Sequence, residues 1–163
     1  MNFAIVVMQT RDAVSDALCE RACEFAPELP HVESVRLESR SVTPEGTVLS
    51  VQRWRARGRV PALLRPHLED GLLEWTLRLE RPLGGYRCAW SARCAAVQVP
   101  GRCDGTMAFL SAAGGRGTCI EVRCEVVAGN EGLRMIFGSL VANHWRGLAA
   151  AGARWIATNR QAS

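Results

Sequence analysis

The sequence predicts an α+β fold: a curved antiparallel sheet of seven strands wrapped around a long C-terminal helix, with a short helical segment after the first strand. Three observations carry this. Between about residues 32 and 127 apolar side chains recur with a period of two, broken by Gly- and Pro-bearing turns. From 130 to about 158 they step by threes and fours along a single stripe. A branched apolar run at 3–9 is followed at once by helical spacing. A sheet with one apolar face and a helix with one apolar stripe satisfy each other's need for burial.

Taken in order, the run 3–9 is the first strand. Thr10 or Asp12 can cap the next helix, where Val14, Ala17, Leu18, Ala22 and Phe25 share one side. Pro27 and Pro30 lack a backbone donor, so that helix stops near the stretch PELP. Strands are expected at 32–40, 47–57, 72–80, 86–95, 102–110 and 118–127, with turns such as Pro44-Glu45-Gly46, Pro82-Leu83-Gly84-Gly85 and the GGRG at 114–117. Connections this short imply a meander. Asn130 is a suitable cap for the final helix, whose stripe runs Leu133, Phe137, Leu140, His144, Leu148, Ala151 and Trp155. Residues 1–158 read as one domain and 159–163 as a tail.

Composition excludes several classes. With 163 residues, 48% hydrophobic and 22% charged, the chain is an ordinary globular domain and not a disordered one. Its net charge is +4, and all 20 basic residues are arginine, as a GC-rich bacterial coding sequence would give. The seven cysteines contain no CxxC or zinc-ribbon spacing, and Cys19 and Cys23, though four apart, are flanked by Glu20 and Glu24 on a wet-looking face. Buried thiols acting as small hydrophobes are expected, with no metal and no cofactor. The opening MNFAIVVMQT has no basic n-region or cleavage pattern, and no apolar run reaches the roughly 20 residues that span a bilayer. A cytoplasmic protein with reduced thiols is the expectation.

Strand parity assigns faces. Tyr86, Cys88, Trp90, Ala92 and Cys94 share one side of their strand, opposite Arg87, Ser91 and Arg93; Leu73, Trp75, Leu77 and Leu79 face away from Glu74, Thr76, Arg78 and Glu80. The densest basic stretch, VQRWRARGRVPALLRPHL at 51–68, invites a nucleic-acid reading, because arginines interleaved with an aromatic suit phosphates and bases. Parity offers another. Arg53, Arg55, Arg57 and Arg59 fall on one side and Trp54, Ala56, Gly58 and Val60 on the other, as on a strand with one wet face.

The whole element order resembles the START-like (SRPBCC) helix-grip superfamily, which includes polyketide cyclase/dehydrase-like and Bet v 1-like proteins and coenzyme Q-binding proteins. The stretch TRDAVSDALCERACEFAPELPHVESVRL at 10–37 is similar to that superfamily's opening helix, proline-bearing turn and second strand. The resemblance implies a cavity between sheet and C-terminal helix that holds an apolar or aromatic small molecule such as a lipid, a quinone or a polyketide. Its expected lining is Trp54, Trp75, Tyr86, Trp90, Met107, Phe109, Ile120, Phe137, Leu140 and His144, with Leu63, Leu64 and Leu68 as gate residues. A side-chain-filled core is the competing reading of the same aromatics, although the alanines at 89, 92, 95, 96, 108, 112 and 113 leave space.

Three functions stay open on sequence. The leading one is binding or carriage of such a molecule. The second is an enzyme of cyclase/dehydratase (lyase) type, with His144 and Tyr86 as catalytic groups that orient a polyketone, move a proton and assist loss of water. The third is an interaction module whose basic sheet face meets nucleic acid, which is not favoured, or an anionic membrane, and then only peripherally. Oligomeric state is left open. No G-x-S-x-G, P-loop, G-x-G-x-x-G or H-E-x-x-H is present. Glu121 and Glu125, four apart on a strand, would lie roughly 13 Å apart and cannot share a proton.

Overall fold

A computed structural model describes residues 1–58, 62, 73–94 and 101–161, with side chains through 159. The chain opens with β1 (Asn2–Val7), then α1 (Arg11–Glu20) and a one-turn α2 (Ala22–Phe25). Six strands follow: β2 (Val32–Val42), β3 (Thr47–Ala56), β4 (Glu74–Pro82), β5 (Arg87–Cys94), β6 (Arg102–Ala112) and β7 (Gly117–Val127). The long helix α3 spans Glu131–Gln161. All neighbours pair antiparallel in the order β1-β7-β6-β5-β4-β3-β2, so β2 to β7 form a meander and β1 returns to close its far side.

Local chemistry sets the boundaries. Thr10 is extended and caps α1 through its backbone carbonyl, which accepts from the Val14 amide at 3.0 Å. The helix breaks at Arg21, restarts as α2, and ends in a 3-10 turn, Ala26–Glu28, that holds Pro27 at its start, where no donor is needed. Asn130 caps α3 as expected: its Oδ1 accepts from the Leu133 amide at 2.9 Å. At the far end α3 runs about one turn past 158. Thr158 Oγ1 donates to the Arg154 carbonyl and Asn159 Nδ2 to that of Trp155, each side chain folding back on the preceding turn.

Parity holds where it can be checked. Leu77 and Leu79 on β4, and Cys88 and Trp90 on β5, are buried, while Arg78, Arg87 and Arg93 are exposed. On β3 Trp54 is fully buried, and Arg53 and Arg55 point outward to pair with Glu38 and Glu74 at 2.6 Å each. Within β3 the arginine run therefore supplies a strand face whose two charges, Arg53 and Arg55, are matched by carboxylates on adjacent strands. Arg59 lies outside the described residues. β2, an edge strand, is exposed along most of its length and carries two bulges and a mixed set of charges, which suits an unpaired edge.

The space under α3 divides in two. Toward its C-terminal end Leu148, Ala151 and Ile156 are buried together with Val14, Leu18 and Phe25 of α1 and α2, and the Phe25 and Trp155 rings lie 5.7 Å apart. Met107, Phe109 and Ile120 belong to this solid core and are each 1% exposed. Toward its N-terminal end α3 faces a smaller group around Leu73 and Leu133, with Trp75, Phe137 and Leu140 only partly buried against it. That end holds the cavity.

Candidate ligand site

The cavity has a volume of about 250 Å³. β3 and β4 contribute Ala56, Trp75 and Leu77; β5 and β6 contribute Trp90, Ala92, Cys94 and Cys103; α3 contributes Phe137, Leu140, Val141, His144 and Trp145. His31, just before β2, completes the wall, and Arg57, Arg93 and Arg102 stand among the lining residues.

His144 sits in an aromatic nest. Its ring is T-shaped to Trp54 at 4.7 Å, to Trp75 at 5.6 Å and to His31 at 6.1 Å. Trp54 and Trp75 stack on each other across β3 and β4, their rings 5.9 Å apart and 15° from parallel, because the register pairs them directly. Trp54 has its polar atom satisfied, its Nε1 donating to Gln52 Oε1 at 3.1 Å. His144 does not: Nδ1 and Nε2 are both buried and without a hydrogen-bond partner among the described residues. Burial, with His31 nearby, lowers its pKa to about 3, so the imidazole is neutral at ordinary pH. His31 is also shifted down by burial, and its Nε2 is unpartnered as well.

Trp90 is the third such group. It is 3% exposed, its Nε1 has no partner, and its ring meets Trp145 at 5.3 Å in a T-shaped contact. Gly105, opposite on β6, has no room for a side chain: a Cβ there would lie 2.4 Å from the Arg123 carbonyl oxygen on β7 and 2.7 Å from the Trp90 indole. Gly147 gives His31 close quarters, since a Cβ on that turn of α3 would stand 3.2 Å from its Cε1 and would press the ring back by a few tenths of an ångström. On the β6 wall Cys103 donates its S–H to Cys124, which holds the Cys124 thiol down at about 7 and pushes Cys103 up.

The residues expected to line a site divide sharply. Trp75, Trp90, Phe137, Leu140 and His144 come together around the cavity. Trp54 lies directly behind the wall, packed on Trp75 and His144. Met107, Phe109 and Ile120 are instead filled core. Tyr86 is not part of the lining either: it precedes β5 at the opposite end, where its hydroxyl hydrogen-bonds Asp12 Oδ1 at 2.6 Å and Arg11 covers its ring. A shared His144–Tyr86 site is thereby corrected, since the two face different ends of the sheet. Leu63, Leu64 and Leu68 lie outside the described residues. His31 and Trp145 join the site without having been singled out in sequence. Trp145 had a usable signal, standing one residue beside the α3 stripe; His31, in a loop between Pro30 and β2, had none.

A curved antiparallel sheet gripping one long helix, with a small apolar cavity between them, is the START-like helix-grip architecture. Solved structures agree. Ara h 8.0201 superposes with a TM-score of 0.69 at 14% identity over 97% of each chain. A START superfamily protein from Mycobacterium smegmatis gives 0.63 at 8% identity, covering 95% of this chain and 97% of its own. The di-domain ARO/CYC StfQ from the steffimycin biosynthetic pathway gives 0.62 at 13% identity, covering 99% of this chain and 46% of that longer one. No family model and no curated protein matches the sequence. Among the described residues no helix is long and apolar enough to cross a membrane, and no cluster of three or more His, Cys, Asp or Glu could hold a metal ion.

Proposed function

We propose that this chain binds a compact apolar or aromatic small molecule in the cavity beneath the N-terminal half of α3. The carrying observation is that aromatic side chains line this space without filling it, while the same helix packs solidly at its other end. The size argues for a modest ligand. At about 250 Å³ the cavity falls just below the common range of roughly 300–1,000 Å³ for ligand sites. It exceeds the ~150 Å³ that accommodates one benzene ring, so one or two rings fit within it.

Native mass spectrometry of freshly purified protein tests the reading, beside a Leu140→Trp variant that puts an indole into the space. A co-purified or added aromatic compound is expected on the wild type and absent from the variant. A folded wild type that takes up no aromatic probe would refute the proposal.

A second reading, an enzyme of cyclase/dehydratase type, is favoured by one observation: both His144 nitrogens are buried at the cavity without partners. Against it, an imidazole with a pKa of about 3 is a weak base near neutral pH, and Tyr86 is engaged elsewhere. A His144→Ala variant that keeps its ligand but loses turnover would establish the enzyme; a variant unchanged in both would remove His144 from either account.

A further inference from the structure

Positive charge gathers where the cavity meets solvent. Of its lining residues only Arg57, Gly58, Arg93 and Arg102 are exposed, so these four mark the mouth. They stand at one end of the sheet, where β3 and β5 finish and β6 starts. Among the described residues neither aspartate nor glutamate lines the cavity, so its walls offer the three guanidinium groups no counter-charge. Behind the mouth the walls are mostly apolar and aromatic. The space is therefore amphipathic, a ring-sized apolar interior that opens onto a cationic rim.

Two features set this rim apart from other arginines on the outer face of the sheet. Arg93 and Arg102 are directly opposite each other on β5 and β6, and like charges so placed repel. Arg53, Arg55 and Arg78 each meet a carboxylate, on Glu38, Glu74 and Glu80. At the rim that compensation is incomplete. Arg102 meets Asp104 through Nε while its side chain stays 52% exposed, and neither Arg93 nor Arg57 has a side-chain partner among the described residues. An anion seated at Arg93 and Arg102 relieves their repulsion, and at an open mouth it keeps part of its water, which spares it the cost of full burial. The guanidinium fork matches the two oxygens of a carboxylate. We infer that the cavity takes an aromatic carboxylate, its ring system beneath α3 and its carboxylate at the mouth on Arg93 and Arg102, with Arg57 adding to the positive field. This deepens the binding reading above and rests on it.

Calorimetric titration of the intact chain compares β-naphthoate with β-naphthol, an uncharged compound of similar size. The wild type is expected to bind β-naphthoate about tenfold more tightly at low salt, the yield of one charge-assisted contact. In about 1 M salt, where the screening length falls to about 3 Å, the preference should drop below about threefold. Arg93→Gln removes an exposed arginine and strands no carboxylate. This variant should bind β-naphthol as the wild type does, which also shows that it folds, while its preference for β-naphthoate falls below about threefold. Folded Leu140→Trp, with the interior filled, should take up neither compound. Wild type that binds β-naphthoate no more tightly than β-naphthol would overturn the anionic-head inference and leave cavity binding standing. A preference unchanged by Arg93→Gln or by salt would overturn it too, as would β-naphthoate bound by folded Leu140→Trp. Failure of both compounds to bind folded wild type would overturn the cavity-binding reading itself.

Discussion

Acid should weaken this fold through His144, and the amount follows from its surroundings. The imidazole would ordinarily take up a proton near pH 6.5; burial among Trp54, Trp75 and Trp145, with His31 adding its own field, lowers that to about 3. The unfolded chain therefore binds a proton between these two pH values and the folded chain does not. Stability is complete above about pH 7 and falls as pH drops through 6.5 toward 3. At pH 5 the loss from this one group is about 2 kcal/mol, and over the whole interval about 5 kcal/mol, at 1.36 kcal/mol per pH unit. With a urea dependence of about 2 kcal/mol per molar, the midpoint should fall by about 1 M between pH 8 and pH 5. His31, shifted the same way by burial, adds to the total but remains in a His144→Phe variant. The difference between wild type and variant thus isolates His144. The reasoning fails if the variant loses as much stability on acidification as the wild type. It also fails if an NMR titration of the His144 ring in the folded state shows a midpoint above about 6, near the ordinary value.

Other substitutions probe the frame. Gly105→Ala places a methyl group 2.4 Å from the Arg123 carbonyl oxygen and 2.7 Å from the Trp90 ring, so backbone and indole must both shift, and it should cost at least about 1–3 kcal/mol in urea unfolding. Glu20 pairs with both Arg40 at 2.9 Å and Arg81 at 3.0 Å, and Arg81 is 8% exposed, so Glu20→Ala strands a buried cation and should cost about 3–5 kcal/mol. Arg53→Ala, which removes an exposed partner of Glu38, should change stability by less than about 1 kcal/mol in the same assay. Gln52→Leu leaves Trp54 Nε1 without its acceptor and is expected to cost about 1–3 kcal/mol, read as a lowered urea midpoint.

The fold was legible because both of its periodic signals are long. Five strands, β3 to β7, alternate over eight or more residues each, and α3 carries its stripe from Leu133 to Trp155. The site was half legible, for a reason that Tyr86 illustrates. Parity correctly groups Tyr86 with Cys88 and Trp90 on one side of its strand, but it is blind to position along the sheet. Four residues separate Tyr86, beside α1, from Trp90, at the cavity; the same blindness put Met107, Phe109 and Ile120 in the lining. Position along the sheet is decided by where α1 and α2 pack against α3, a long-range fact that no local window contains. Inward polar residues were hidden differently. Arg81 lies one residue past the expected end of its strand, and β4 in fact continues to Pro82, which carries the guanidinium inward to Glu20. His31 reaches the cavity beside Gly147, more than a hundred residues later, which leaves its ring uncrowded.

The two unlike halves of α3 should also differ in how they breathe. Amides around Leu148 to Ile156 belong to turns whose inward side chains are buried against α1 and α2, and their exchange with solvent should require opening of the whole molecule. Those between Leu133 and Leu140 close over a space with fewer neighbours to lose, so a smaller, cheaper excursion can expose them. One helix then serves as both anchor and lid. A guest molecule would be felt as slower exchange in its first turns, while the last turns would register only the stability of the fold.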